Sequence, residues 1–224
     1  MAQEVARRKN EEFFASMPPL EAMRALVSDT ATNPGTGKEE RKISFMDARK
    51  AHLNAFVTRD IYINLPEEDA TPGYCGRLVR CLYGTRDAPA RWEATYTETL
   101  QKLGFHRGRS NACCFYHPGR CLRLVVHGDD FVTTGVDSEL SWFEAELQKV
   151  FEMKVRGRIG SGPKDSKQMT VLNRVVTYTP MGIIWEADQR HVEILAHNLG
   201  LTDGKGRTTP GQKKLVGKDK DEEK

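Results

Sequence analysis

Apolar positions recur at helical spacing in several segments of the chain. In "PPLEAMRALVSDTA", Leu20, Met23, Leu26 and Val27 fall on one face, and Pro19 suits a first helical turn. In "APARWEATYTETLQKLG" the stripe is Trp92, Tyr96, Leu100 and Leu103, with Gly104 just past the end as a stop. In "SELSWFEAELQKVF" it is Leu140, Phe143, Leu147 and Phe151, with Asp137 or Ser138 as the cap. A fourth helix is expected in "DQRHVEILAHNLG", capped by Asp188 and closed by Gly200.

Between these lie short runs rich in strand formers. "KISFMD" ends in Asp47, "CCFYHPGRCLRLVVH" folds back across a Pro-Gly turn, and "DFVTTG" and "EMKV" complete the set. "IYINLP" and "YCGRLVRCLYG" are also read as extended. "MTVLNRVVTYTPMGIIWEA" is expected to be a hairpin turned at Pro180–Gly182, after a flexible loop "GRIGSGPKDSK". Residues 1–16 suggest a charged helix without a clean apolar stripe, and "TNPGTGKEER" a polar linker. The low-complexity charged end suggests a disordered tail.

The middle of the chain thus reads strand–helix–strand–strand–helix–strand. That is the ferredoxin-like βαββαβ order of an α+β fold, an antiparallel sheet with two helices on one face. It brings the end of the first strand, at Asp47, beside the hairpin that carries Asp129 and Asp130.

Composition narrows the picture only a little. The 224 residues are 38% hydrophobic and 29% charged, which suits a packed domain with a highly charged surface. A net charge of +3 is too small to mark a polyanion partner. No apolar run reaches membrane-span length and the N-terminus has no apolar signal core, so the expected location is intracellular, cytoplasmic or nuclear, with no membrane partner. The 5 cysteines are then expected to be reduced thiols. Cys113, Cys114, His117 and Cys121 cluster, but at a spacing that matches no familiar zinc knuckle or ribbon.

"VVHGDDFVTTG" sets two acids where one strand gives way to the next. Gly-Asp is ordinary hairpin chemistry, so a plain turn is the simplest account of these residues alone. Asp47 changes that. Three carboxylates at one sheet edge repel one another unless a cation lies between them, and hard oxygen donors select Mg²⁺ or Mn²⁺. Two such ions activate a hydroxyl and stabilise a leaving pyrophosphate. Geometry of this kind leaves nucleotide cyclases of the diguanylate type and polymerase palms both open.

Longer stretches separate the two. "FMDARKAHLNAFVTRDIYINLPEE" resembles the copia-type reverse transcriptase pattern of an aspartate, a basic residue, Ala-aromatic-Leu-Asn and an Ile-Tyr-x-x-x-Pro-Glu segment. "LVRCLYGTRDAPARWEATYTETLQKLGFHRGRSNACCFY" is similar to its Leu-Tyr-Gly-x-x-x-Ala-Pro-Arg-x-Trp block and the Leu-Gly-Phe stretch after it. "LVVHGDDFVTTG" stands where the family has Tyr-Val-Asp-Asp, and "FEMK", "VLNRVV", "GIIWEADQRHVEILAHNLGL" and "TTP" follow in the family's order. The likeness covers about residues 40–210, and several blocks in one order are far more specific than any one. The cyclase alternative has no counterpart to "LYGTRDAPARW".

The resemblance implies an RNA-directed DNA polymerase palm, plus a partial thumb, from a retrotransposon Pol polyprotein. Asp47, Asp129 and Asp130 would hold the metals, with Ala48 lending backbone beside the incoming triphosphate. His52 falls where the family carries the aromatic that excludes a ribose 2′-hydroxyl. Arg86 and Asp87 would lie near the nucleotide, and Pro89, Lys154, Asn173 and Arg174 near the nucleic acid. Implied partners are an RNA or DNA template with primer, deoxynucleoside triphosphates and other Pol segments. The implied divisions are a helical extension over 1–35 as a remnant of the fingers, a palm over 36–160, a primer-grip hairpin and first thumb helix over 161–203, and the tail over 204–224.

The chain also departs from the pattern. His127–Gly128 replaces the usual Tyr-Val, a histidine replaces the gate aromatic, and the family's basic upstream fingers find no counterpart. Two functions are therefore expected: a palm for two-metal nucleotidyl transfer, or a catalytically inactive transposon-derived fragment that binds nucleic acid or is inert.

Overall fold

The computed structural model describes residues 13–32, 40–187, 189–202 and 204. The helix expected over 1–16 lies outside the described residues except at 13–16, which are not helical; most of the linker expected at 32–41, the Asp188 cap and the tail beyond 204 also lie outside them. Helix α1 (Leu20–Thr32) leads into strand β1 (Arg41–Ala48). A 3₁₀ turn (Ala51–Asn54) and two short strands, β2 (Tyr62–Ile63) and β3 (Gly76–Arg77), precede helix α2 (Ala88–Lys102). Strands β4 (His106–Arg107), β5 (Cys114–His117), β6 (Leu122–His127) and β7 (Asp130–Val136) follow, then helix α3 (Asp137–Gln148) and strand β8 (Met153–Ile159). Strands β9 (Gln168–Val171), β10 (Arg174–Thr179) and β11 (Gly182–Ala187) and helix α4 (Arg190–Asn198) complete the elements of the described residues.

Six strands form one sheet in the order β4-β5-β6-β7-β1-β8, antiparallel at every pairing. The architecture is α+β. β1 enters between β7 and β8, so the strand that comes first in sequence lies inside the sheet with both faces covered. Its pattern shows why: Met46 and Ala48 face Trp92, Tyr96 and Leu100 of α2 and Leu140, Phe143 and Leu147 of α3. Ile43 and Phe45, pointing the other way, join Met23, Leu26 and Val27 of α1 with Val171 and Val176 of β9 and β10. Alternation by two sends one set to each face, and both sets are apolar because along the middle of the strand neither face meets water.

The helix stripes fold inward as their spacing predicts. Trp92, Tyr96, Leu100, Leu140, Phe143, Leu147 and Phe151 are all buried. α2 ends in a Schellman arrangement, with Phe105 N donating to Leu100 O at 3.0 Å and Gly104 at φ +93°.

Several local expectations are corrected. Two helices do share one face, and α1 packs on the opposite one. Neither Asp137 nor Ser138 caps α3: Val136 holds that position, and the Asp137 carboxylate instead meets Lys42 at 2.9 Å and Arg158 at 2.8 Å. The expected strands around 61–84 shrink to the two-residue β2–β3 ladder and a bridge between Phe56 and Arg80. β8 runs on through Ile159 into the stretch expected as loop. The single hairpin expected near 169–187 is a three-stranded meander, because Leu172 (φ +48°) and Asn173 (φ +57°) make an extra tight turn between β9 and β10. No glycine marks that turn, so the sequence gives little warning of it.

Candidate active site

Two strand ends build the site. Asp47 near the end of β1 pairs directly with Asp130 at the start of β7, and Asp130 pairs with His127 at the end of β6. Only Gly128 and Asp129 separate the two strands. Gly128 has φ +64°, a value L side chains avoid, and takes the first turn position that favours glycine in tight hairpins. Two hydrogen bonds fix the turn: Trp92 Nε1 donates to Gly128 O at 2.9 Å, and Ala48 N donates to Asp129 O at 2.8 Å. The buried indole of α2 is thus both core and turn anchor, wedged edge-on to Tyr96, Phe131 and Phe151.

Strand parity then decides which way the acids face. Met46, Ala48 and Phe131 point to the helices, so Asp47 and Asp130, one residue away in each strand, point to the other face. Burial, reinforced by Asp129 and Asp47, pushes the Asp130 carboxyl above the usual carboxylate range, against the pull of Arg156. On the far side of β1, Asp47 is paired with Lys154, an opposite charge directly across the strands. The donors are hard carboxylate oxygens, the chemistry that suits Mg²⁺ or Mn²⁺. Among the described residues, however, no group of three or more His, Cys, Asp or Glu side chains is assembled to hold a metal. Asp130 instead lies 3.7 Å from the Arg156 guanidinium.

The other residues singled out from the sequence lie on several different elements. Ala48 is buried at the end of β1. His52, in the 3₁₀ turn that follows, packs on Tyr83 with ring centroids 4.4 Å apart. Burial lowers the pKa of His52, Asp129 opposing, and its Nδ1 finds no hydrogen-bond partner among the described residues. Arg86 is exposed, its guanidinium 4.7 Å above the Phe13 ring, and Pro89 is half-buried in the first turn of α2. Asp87 is turned inward, 1% exposed, and accepts from Arg59 at 3.0 Å. Lys154 is exposed on β8; Asn173 sits in the β9–β10 turn and Arg174 opens β10, pairing with Val171.

Two side chains were not found by sequence reasoning: Tyr83, which packs on His52, and Arg156, which lies beside Asp130. Tyr83 belongs to "LYG" but gives no sign of where it packs. Arg156 had one available signal: Gly157, lone in a strand pattern, marks a bulge.

The Asp87–Arg59 pair has a consequence for acid stability. The hydrogen bond from Arg59 holds the Asp87 carboxyl below the usual range, burial opposing. A group depressed in the fold contributes stability above its unfolded pKa, near 3.8, and loses it as pH falls through the folded value. Asp87→Asn is therefore expected to destabilise the protein at neutral pH, with the difference from the native chain shrinking below about pH 4. Urea denaturation midpoints measured from pH 7 to pH 3 check this; a constant difference throughout contradicts it.

A family model described as reverse transcriptase (RNA-dependent DNA polymerase) matches residues 2–210. The chain is 21% identical over 208 residues to the retrovirus-related Pol polyprotein from transposon TNT 1-94 of Nicotiana tabacum, covering 89% of this chain and 14% of that protein. It is 27% identical over 120 residues to a putative transposon Ty5-1 protein of Saccharomyces cerevisiae, covering 51% of this chain and 39% of that one. To the Pol polyprotein from transposon RE1 of Arabidopsis thaliana it is 29% identical over 100 residues, 42% of this chain and 7% of the relative. The chain thus spans a minor part of the length of each. Across nearly its whole length, therefore, the chain belongs to the reverse transcriptase family of retrotransposon Pol polyproteins, in its copia-type branch.

Proposed function

We propose that this chain is the palm of an RNA-directed DNA polymerase, with a ferredoxin-like core over residues 36–160 and a primer-grip meander and first thumb helix over 161–203. Residues 1–35 and 204–224 flank it. The observation that carries this function is the facing pair Asp47–Asp130 with Asp129 in the adjoining turn, on the sheet face opposite α2 and α3. Mg²⁺ or Mn²⁺, held there by Asp47, Asp129 and Asp130, would supply an activated attacking hydroxyl and charge stabilisation for the leaving pyrophosphate.

The chain's own residues do the positioning. The Ala48–Asp129 and Trp92–Gly128 hydrogen bonds keep the carboxylates at the strand ends, so little reorganisation is needed when substrate arrives. Ala48 backbone borders the triphosphate. Arg86 and Asp87 lie in the nucleotide segment, Asp87 acting from behind by holding Arg59. Pro89, Lys154, Asn173 and Arg174 meet template and primer, with Lys and Arg contributing phosphate contacts. The substrates are deoxynucleoside triphosphates on a primed RNA or DNA template, and other Pol segments are the natural partners. No helix among the described residues is long and apolar enough to cross a membrane.

Primer extension on an RNA template with Mg²⁺ or Mn²⁺ tests this directly. Extension that requires the divalent ion and vanishes in Asp129→Asn supports it. Binding of primer–template without extension under any divalent condition supports the second reading, a non-catalytic nucleic-acid-binding fragment. That reading is favoured by one observation, the engagement of Asp130 with Arg156.

His52 makes a further outcome readable. A neutral imidazole is smaller than a phenyl ring and offers a hydrogen bond to a ribose 2′-hydroxyl, and Tyr83 fixes its plane. His52→Phe is expected to raise selectivity for deoxynucleotides over ribonucleotides by about tenfold, through a clash rather than a new attraction. Single-nucleotide incorporation with both substrates measures it; unchanged selectivity removes His52 from the gate.

A further inference from the structure

Strand β8 does not pair evenly with β1. Val155 lies opposite Met46 and Gly157 opposite Phe45, so Arg156 falls between with no partner in the ladder. An extra residue of this kind bends the strand and re-aims its side chain, and bulges recur beside functional sites for that reason. Here the guanidinium is carried across β1 to the acid rung. Arg156 Nη1 lies 3.7 Å from Asp130 Oδ1, while Nη2 donates to the Thr170 carbonyl of β9 at 2.8 Å.

Resting on the polymerase reading above, we propose that Arg156 is a tethered cation for the Asp47–Asp130 pair, occupying beside Asp130 the place of positive charge that a divalent ion must take. Two features of the geometry support it. The guanidinium fork is split, one nitrogen fixed on a backbone carbonyl and the other at a distance too long for a hydrogen bond to the carboxylate. Arg156 is thereby held in the acids' field without being locked to them, and withdrawal from Asp130 leaves the Thr170 anchor intact. Second, both groups reach solvent at the rim, with the Arg156 side chain 35% and the Asp130 side chain 21% exposed, so an ion arriving from water can displace the contact.

Metal and Arg156 therefore compete for one carboxylate. In the metal-free protein Arg156 offsets the repulsion between Asp47 and Asp130. It also weakens the first divalent ion by the free energy of the contact it must break, and a partly exposed pair of this kind is worth only about a two- to fivefold change in affinity.

The test is Mn²⁺ binding to the full chain by calorimetry, alongside urea denaturation without metal. Variants are Arg156→Gln, Arg156→Met, Asp130→Asn, and Asp130→Asn combined with Arg156→Gln. The expected result is Mn²⁺ binding about two- to fivefold tighter in Arg156→Gln than in the native chain, lost in both proteins that carry Asp130→Asn. Without metal, Arg156→Gln should lower the urea midpoint, and do so far less in the Asp130→Asn background. Arg156→Met, neutral but with a similar apolar stem, repeats the comparison should the glutamine variant fold poorly. Equal Mn²⁺ affinity in native and Arg156→Gln protein, still lost on Asp130→Asn, overturns the competition and leaves the polymerase reading standing. No Mn²⁺ binding by the native chain or either neutral variant overturns both.

Discussion

Asp130→Asn is expected to lower primer extension by on the order of 10²–10³-fold while leaving the metal-free protein as stable as before or slightly more so. The two effects have one origin. Asp130 faces Asp47 across adjacent strands, next to Asp129, and its raised pKa records that the fold disfavours the charged form, through burial first and the two neighbouring acids next. Like charges directly opposite on a sheet destabilise it, and such pairs matter at the level of about 0.2–1 kcal/mol. The sign with pH follows. A carboxyl raised in the fold gains relative stability below its unfolded pKa near 3.8, and loses it as pH rises through the folded value. At pH 7 the ionised Asp130 is a net liability, relieved only in part by Arg156, and a neutral amide of the same shape removes it. The advantage of the variant should therefore vanish below about pH 4. Urea denaturation at pH 7 and pH 3.5, set beside primer extension at pH 7, measures both halves. A variant that loses both stability and activity would mark Asp130 as a structural residue.

Trp92→Ala should show the opposite pattern, with stability falling by about 3–5 kcal/mol and activity failing with it. Trp92 is 2% exposed and packs edge-on to three aromatic rings, so truncation opens a large cavity between α2 and the sheet. It also removes the donor to Gly128 O, the outer support of the acid turn. Trp92→Phe separates these contributions. It keeps much of the apolar contact and removes the N–H, which in a partly buried place costs about 0.5–1.5 kcal/mol. If the indole positions the turn, Trp92→Phe lowers the turnover of bound primer–template more than its modest loss of stability would cause. Denaturation midpoints and extension under saturating primer–template distinguish the cases. Full activity in Trp92→Phe would confine the side chain to packing.

What could be read from the chain alone follows from periodicity. The stripes of α2 and α3 are local patterns satisfied by burying one side of each helix, and apart from the half-buried Leu103 they came out as read, whereas β1, β6 and β7 showed only as runs of strand formers and bury both faces. The antiparallel sheet followed from the order of those elements, and the family from several motifs in one sequence order. Gly128 announced the turn beneath the acids because only glycine accepts its backbone angle without strain. Other features needed three dimensions. The burial of Asp87 against Arg59, the stacking of His52 on Tyr83 and the seating of α1 on the far face are contacts between segments distant in sequence, and no local pattern records them. Leu172 and Asn173 turn the chain because the packing of β9 and β10 demands it, overriding the reluctance of leucine to adopt positive φ. The position of Arg156 over Asp130 depends on a one-residue slip between β8 and β1. Register is a property of two strands at once, so the charge that faces the acids was settled only when the sheet closed around them.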